Sequence, residues 1–214
     1  MGTFVISIDD TATKLGLSMA DNEEYDDPTT RLLVNPVNKA HPVTFQDINF
    51  EEAINTDGDL NATRNNNYIA FTFYVRNDGN VTVDVTLDLE SLEITKNVDS
   101  ALRIAIIEDG LVDSENNITM AHSVLFMKSE ENMDETTYEM LSDKTKEFYD
   151  RFEIRSFKDN DFGDYVFRNF SPGAKKKFTM IIWLEGWDKD CNDSIKQGQL
   201  KMNLTLKIVG MSDD

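Results

Sequence analysis

Three stretches of this 214-residue chain crowd oxygen-bearing side chains closely enough for coordination chemistry. In Asn55-Thr56-Asp57-Gly58-Asp59-Leu60-Asn61, the residues Asn55, Asp57, Asp59 and Asn61 alternate, so one loop offers several oxygens to a hard cation such as calcium. The loop departs from the EF-hand pattern, which wants glycine two places later than Gly58 and a glutamate where this chain has Asn66. Asp188, Asp190, Asn192 and Asp193 form a second oxygen-rich segment, and Asp159, Asp161 and Asp164 a third. Each has two readings, a calcium loop and an ordinary polar turn, and the sequence leaves both open.

The residue types that carry catalysis are sparse. A zinc hydrolase needs two imidazoles one helical turn apart, with a glutamate to activate water. The only histidines are His41 and His122, far apart in sequence, and Pro42 disfavours a helix at His41. The single cysteine, Cys191, lies among Asp188, Asp190 and Asp193, whose charges raise a thiol pKa and so oppose nucleophilic activation. No carboxylate pair stands out for glycoside hydrolysis. The chain therefore reads as a structural or binding protein and not as an enzyme.

Forty acidic against 21 basic residues give a formal charge of -19, which repels phosphate backbones and anionic surfaces and attracts divalent cations. Nucleic acid is excluded as a natural partner on this ground. A lone cysteine rules out an internal disulfide framework, so stability must come from a core or from bound ions. No apolar run approaches the roughly 20 residues that span a bilayer, so no membrane insertion is expected. The start, Met1 to Ile6, has neither a basic region nor the apolar core of a signal peptide.

Period-two alternation dictates the elements that must hold these loops. Phe4, Ile6 and Ile8 share one face of a strand over 3–8, followed by the polar break Asp9-Asp10. Residues 68–76, rich in aromatic and β-branched side chains, and 81–94, with Val81, Val83, Val85, Leu87 and Leu89 in step, predict a hairpin around Asn77-Asp78-Gly79-Asn80. Further strands are expected at 102–107, 123–127, 178–184 and 200–209, and loops with short strands over 9–60. Between 134 and 152, Tyr138, Leu141, Phe148 and Phe152 change to helical spacing, which predicts an amphipathic helix inside an insertion over 128–160. Many short strands without a βαβ rhythm indicate a mainly β protein, an antiparallel jelly-roll-like β-sandwich forming one domain over 1–214.

Residues 68–79, continuing through Thr95-Lys96-Asn97-Val98-Asp99-Ser100-Ala101-Leu102-Arg103, and the segment Ile182-Trp183-Leu184-Glu185-Gly186-Trp187-Asp188-Lys189-Asp190-Cys191 resemble the exported TasA/camelysin-like proteins of Firmicutes. The resemblance covers roughly 68–107 and 178–208. It implies a jelly-roll domain, export, a place at the cell surface or in the extracellular biofilm matrix, and partners that are further copies of the chain or other matrix proteins. Some members of that family are called metallopeptidases; this chain lacks the histidine pair, and that activity is not carried over. In this setting Phe4, Ile6 and Ile8 are expected to mediate self-assembly, the terminal strand completing a neighbour's sheet edge in a fibre. The alternative is a calcium-supported module binding surface carbohydrate or protein through Trp187, at the end of the strand that contains Trp183.

Overall fold

The computed structural model describes residues 4–37, 40–62, 67–128, 138–158 and 161–212. Two sheets face one another. The first has the order β12 (Asp161–Phe170), β6 (Thr82–Ile94), β14 (Leu200–Ser212), β1 (Phe4–Ile8), β3 (Arg31–Val34). The second runs β11 (Glu153–Phe157), β10 (His122–Lys128), β7 (Leu102–Glu108), β13 (Lys175–Leu184), β5 (Ile69–Asn77), β2 (Leu17–Ala20), with β4 (Gly58–Asp59) also on β5. A separate ribbon pairs β8 (Leu111–Val112) with β9 (Ile118–Thr119).

The inner faces follow from the alternation. Val83, Val85, Leu87 and Leu89 of β6, with Leu204 and Leu206 of β14, meet Phe71 and Phe73 of β5, Ile104 and Ile106 of β7, and Phe178 and Met180 of β13 in one buried core. Tyr165 and Phe167 of β12 pack on the ring of Phe178, 6.2 and 5.2 Å away, which ties the sheets directly. The second sheet is apolar on its other face too. Ala105, Ile107, Leu125, Ile181 and Trp183 form a second cluster with Phe45, Phe50 and Ile54, and with Leu141, Tyr149 and Phe152. That cover is built from α2 (Phe50–Asn55), α3 (Asp143–Tyr149) and the chain around them.

The mainly β sandwich matches the sequence expectation, and four details differ. The ladders are not all antiparallel: β1 runs parallel to β14, and β11 parallel to β10. The segments flanking Asn77–Asn80 do not form a hairpin. β5 pairs with β13, β2 and β4, while β6 pairs with β12 and β14, so the turn carries the chain from one sheet to the other. The helix expected over 134–152 is not continuous where it is described: helical residues 138–139 are followed by a break at 140–142, Ser142 then caps α3 by accepting the Thr145 amide at 3.3 Å, and the expected start at Asp134 lies outside the described residues. Finally, β12 escapes period-two reading because its inward residues, Phe162, Tyr165, Phe167 and Phe170, are spaced irregularly by two bulges. Gly163 and Asn169, both at positive φ, occupy those bulges.

The sheet-to-sheet corner is fixed by Asn77. Its buried side chain donates to the carbonyls of Val81 at 2.9 Å and Phe170 at 2.8 Å and accepts the Gly79 amide at 3.0 Å, satisfying three backbone groups at the corner. Gly79 must be glycine for space: a Cβ there would lie 2.1 Å from the Leu15 carbonyl oxygen. The β12 bulge has its own clamp in Asp84, which accepts the Asn169 amide and an Arg168 N–H, each at 2.9 Å.

Replacing Asn77 with alanine strands those groups, and we expect a loss of about 3 kcal/mol in urea unfolding. Asp84 gives a pH test. The Asn169 amide, with Arg168 adding to it, lowers its pKa below the ordinary 3.8. A depressed carboxyl contributes stability that is full above the unfolded pKa and is lost as pH falls through the folded one. The stability gap between wild type and Asp84→Asn should therefore be open at pH 7 and close below pH 3.8; a gap of constant size from neutral to acid would contradict the clamp.

Candidate functional site

β1 is short, yet every ladder position is used. In register with β14 it sets Phe4 against Met202, Ile6 against Leu204 and Ile8 against Leu206; on its other edge it pairs with β3, Phe4 facing Val34 and Ile6 facing Leu32. The inward side chains are 1%, 0% and 7% exposed for Phe4, Ile6 and Ile8, while Val5 and Ser7 are half-buried on the outer face. Burying three such side chains is worth roughly 5–8 kcal/mol, comparable to the whole stability of a domain. The slot between β14 and β3 cannot stay empty cheaply. Thr3, expected in this strand, lies outside the described residues.

The polar break after β1 is more ordered than its sequence suggests. The Asp9 amide donates to the Leu206 carbonyl at 3.0 Å, and its carboxylate caps α1 (Asp10–Lys14) by accepting the Ala12 amide at 2.6 Å. Asp9 itself is extended, with φ -68 and ψ 163. It is thus the joint between a strand in one sheet and a single helical turn.

The acidic loops are engaged by the protein's own donors. Asp57 accepts the Tyr74 hydroxyl at 2.7 Å and the Glu23 amide at 2.9 Å; Asp59 accepts the Asn61 and Asn35 amides, both at 2.8 Å. Asn61 donates to the Tyr68 carbonyl at 2.9 Å, and Asn55 is exposed at the end of α2. In the later segment, buried Asp188 pairs with the Arg103 guanidinium at 2.7 Å and accepts the Asp190 amide at 2.8 Å, while exposed Asp193 meets Lys196 at 2.7 Å. Asp164 accepts the Thr86 hydroxyl at 3.1 Å, Asp161 the Gly163 amide at 2.9 Å, and Asp159 is not described. Among the described residues, no group of three or more His, Cys, Asp or Glu converges in a way that could hold a metal ion.

The tryptophan-rich segment is built around a buried carboxylate that sequence reasoning did not single out. Glu185 accepts the indole N–H of Trp183 at 3.0 Å, the Phe45 amide at 3.1 Å and the Trp187 amide at 3.3 Å. Burial pushes its pKa above the ordinary carboxylate value, and these donors pull against that rise. Trp183 lies wholly in the core, and Trp187 is half-buried against the second cluster. Burial, helped by Asp188 and Glu185, pushes the Cys191 thiol up to about 11, so thiolate is scarce at neutral pH. His122 stacks on Tyr165 at 5.5 Å and faces Glu153 at 3.0 Å; His41 is exposed, its amide bonded to Asn67.

A concavity of about 690 Å³ was also not foreseen. It lies between residues 45–51, the ribbon tip at 116–118, and the face of α3 that carries Lys144 and Phe148. Only the helical spacing around Phe148 hinted at it, because its walls come from three separate parts of the chain.

Breaking the Arg103–Asp188 pair tests whether the late acidic turn is a structural staple. Arg103→Leu leaves a buried carboxylate without its cation and should cost about 3–5 kcal/mol. The double variant Arg103→Leu with Asp188→Leu should recover much of that loss in the same denaturation assay.

Compared with known proteins, the chain matches no family model, no curated protein and no solved structure.

Proposed function

We propose that this protein is an exported structural subunit of a cell surface or extracellular matrix, assembling by exchange of its terminal strand between copies. One observation carries the reading: β1 is a five-residue element that Asp9 links to α1, and it fills a slot flanked by β14 and β3 whose core positions Phe4, Ile6 and Ile8 occupy. A β1 from a neighbouring copy would offer the same side chains and the same main-chain groups to that slot, so the exchanged and closed forms differ little in contact energy. The extended backbone at Asp9 is the pivot for this exchange. The jelly-roll assignment and the kinship with TasA/camelysin-like proteins belong to the same proposal and rest on the motifs at 68–103 and 182–191.

Charge bears on assembly. Copies carrying -19 each repel one another, and divalent cations bound at or near exposed carboxylates would offset that repulsion. Calcium enters the proposal in this role, at the acidic loops 55–61 and 188–193, whose exposed carboxylates are Asp57 and Asp193. No helix among the described residues is long and apolar enough to cross a membrane.

Deleting residues 3–8 tests the strand. On the exchange reading, the truncated chain is destabilised by its empty slot and forms no fibres, and a synthetic peptide of residues 3–8 restores its melting temperature without restoring fibres; fibres of undiminished length in electron micrographs would refute it. The calcium role predicts that calcium raises the melting temperature or fibre yield more than magnesium at equal ionic strength. Equal effects of the two ions would reduce calcium to general screening.

A further inference from the structure

The concavity over the second sheet is remote in composition from the rest of this acidic surface. Its floor is aromatic. The rings of Phe45 and Phe50 lie 4.9 Å apart, Phe50 and Phe148 also 4.9 Å in an edge-on contact, and Phe148, half-buried where the other two are buried, is the most accessible ring of the three. Its walls carry amides and both charges: Gln46, Asn116 and Asn117, the carboxylates Asp47, Glu51 and Glu147, and the cations Lys144 and Arg151. Three carboxylates against two cations leave the groove nearly balanced within a chain of net charge -19.

The walls are held in place before any ligand arrives. Asp113 accepts the amides of Glu115 and Asn117, both at 2.8 Å, and the Asn117 side-chain amide at 3.0 Å, which fixes the ribbon tip; these bonds hold the Asp113 carboxyl below its usual range. One guanidinium N–H of Arg151 donates to the Ile118 carbonyl at 2.7 Å, joining the ribbon to the turn that follows α3, while the guanidinium carbon sits 5.8 Å from the Phe148 ring centre. Lys144 lies 3.8 Å from Glu51 and spans the groove from α3 to α2. A pre-set wall lowers the ordering cost of binding.

This lining selects among ligand chemistries. An apolar ligand would strip water from amides and charges without replacing their hydrogen bonds. A polyanion would be opposed by the field of the whole chain. A neutral polyhydroxylated chain meets neither penalty: its hydroxyls can donate to Asp47 and Glu147 and accept from Arg151 and Asn116, and its C–H faces can pack on Phe148. The volume falls within the roughly 300–1,000 Å³ usual for ligand sites. We infer that this groove binds a neutral oligosaccharide segment, with Phe148 as its platform and Asn116, Glu147 and Arg151 as its hydrogen-bonding partners. The inference is independent of strand exchange, since the groove contains no residue of β1, β3 or β14.

The test is affinity electrophoresis of the full chain through gels containing, in turn, soluble cellulose, starch, mannan, galactan and glycol chitin. Retardation by at least one of these is expected, with the apparent affinity falling at least tenfold in Phe148→Ala. Because Phe148 also packs within the protein, two surface changes accompany it: Glu147→Gln, and Asn116→Gly, which keeps the left-handed backbone at φ 59 while removing the amide. Each should weaken retardation at least threefold at unchanged melting temperature. Absence of retardation in every gel, retardation equal in wild type and all three variants, or displacement of the bound glycan from elsewhere on the surface without change in these residues' NMR signals would overturn the assignment, as would saturation of the groove by an unstructured peptide that the glycans do not compete away.

Discussion

The second sheet is apolar on both faces, and the rest of the molecule is arranged to cover it. β7 is buried along its entire length, and β5 and β13 nearly so. Antiparallel sheets commonly leave one face to water; this one needs a layer on each side. The first sheet supplies one, through Val83 to Leu89 and Leu204 to Leu206. The second is assembled from short pieces, Phe45 to Ile54 and Leu141 to Phe152, each too brief to hold its shape alone. Their aromatic packing makes them a layer, and the groove is the space left where those pieces and the β8–β9 ribbon do not quite close.

Covering both faces forces polar groups into dry surroundings at the sheet ends, and the chain answers with specific partners. Glu185 gathers the Trp183 indole and two amides at the end of β13. Arg103 and Asp188 neutralise one another beside it. At the opposite end of β7, Glu108 takes the Tyr165 hydroxyl and the Lys176 ammonium. Such groups gain little net stability over an apolar packing of the same shape. What they add is alignment: a register slip between β7 and β13 would separate Glu108 from Lys176 and Arg103 from Asp188.

The outer face of the first sheet has the opposite character. Asp84 with Arg168, Asp88 with Lys207, and Glu93 with Lys201 alternate in sign across β12, β6 and β14. This face resists lateral sheet stacking even though Leu33, Val209 and Met211 are exposed along its strands. Association through the end of a strand, as exchange of β1 requires, leaves that charged face untouched. A glycan in the groove on the far side of the second sheet would likewise leave it free, so the proposed assembly and the proposed ligand binding would use separate surfaces.

The sequence by itself determined β1, β6 and β14, where one buried face imposes a period of two, and β5, β7, β10 and β13, whose runs of apolar and β-branched residues mark strands buried on both faces. It also determined the acidity of the surface, the poverty in catalytic residue types, and the burial expected of Trp183. Only the tertiary structure decided that Asn77–Asn80 joins two sheets and not two paired strands, since a turn signal specifies a reversal but not a partner. It decided that β12 is a strand, because its bulges are stable only against β6 and the Asp84 clamp. It also decided the fate of the acidic loops: Asp57, Asp59 and Asp188 meet Tyr74, Asn35 and Arg103, residues distant in the chain whose arrival no local spacing announces. The groove is the extreme case, for its aromatic floor and amide walls come from three segments that share no pattern and are neighbours solely because each had apolar surface to bury on the same sheet.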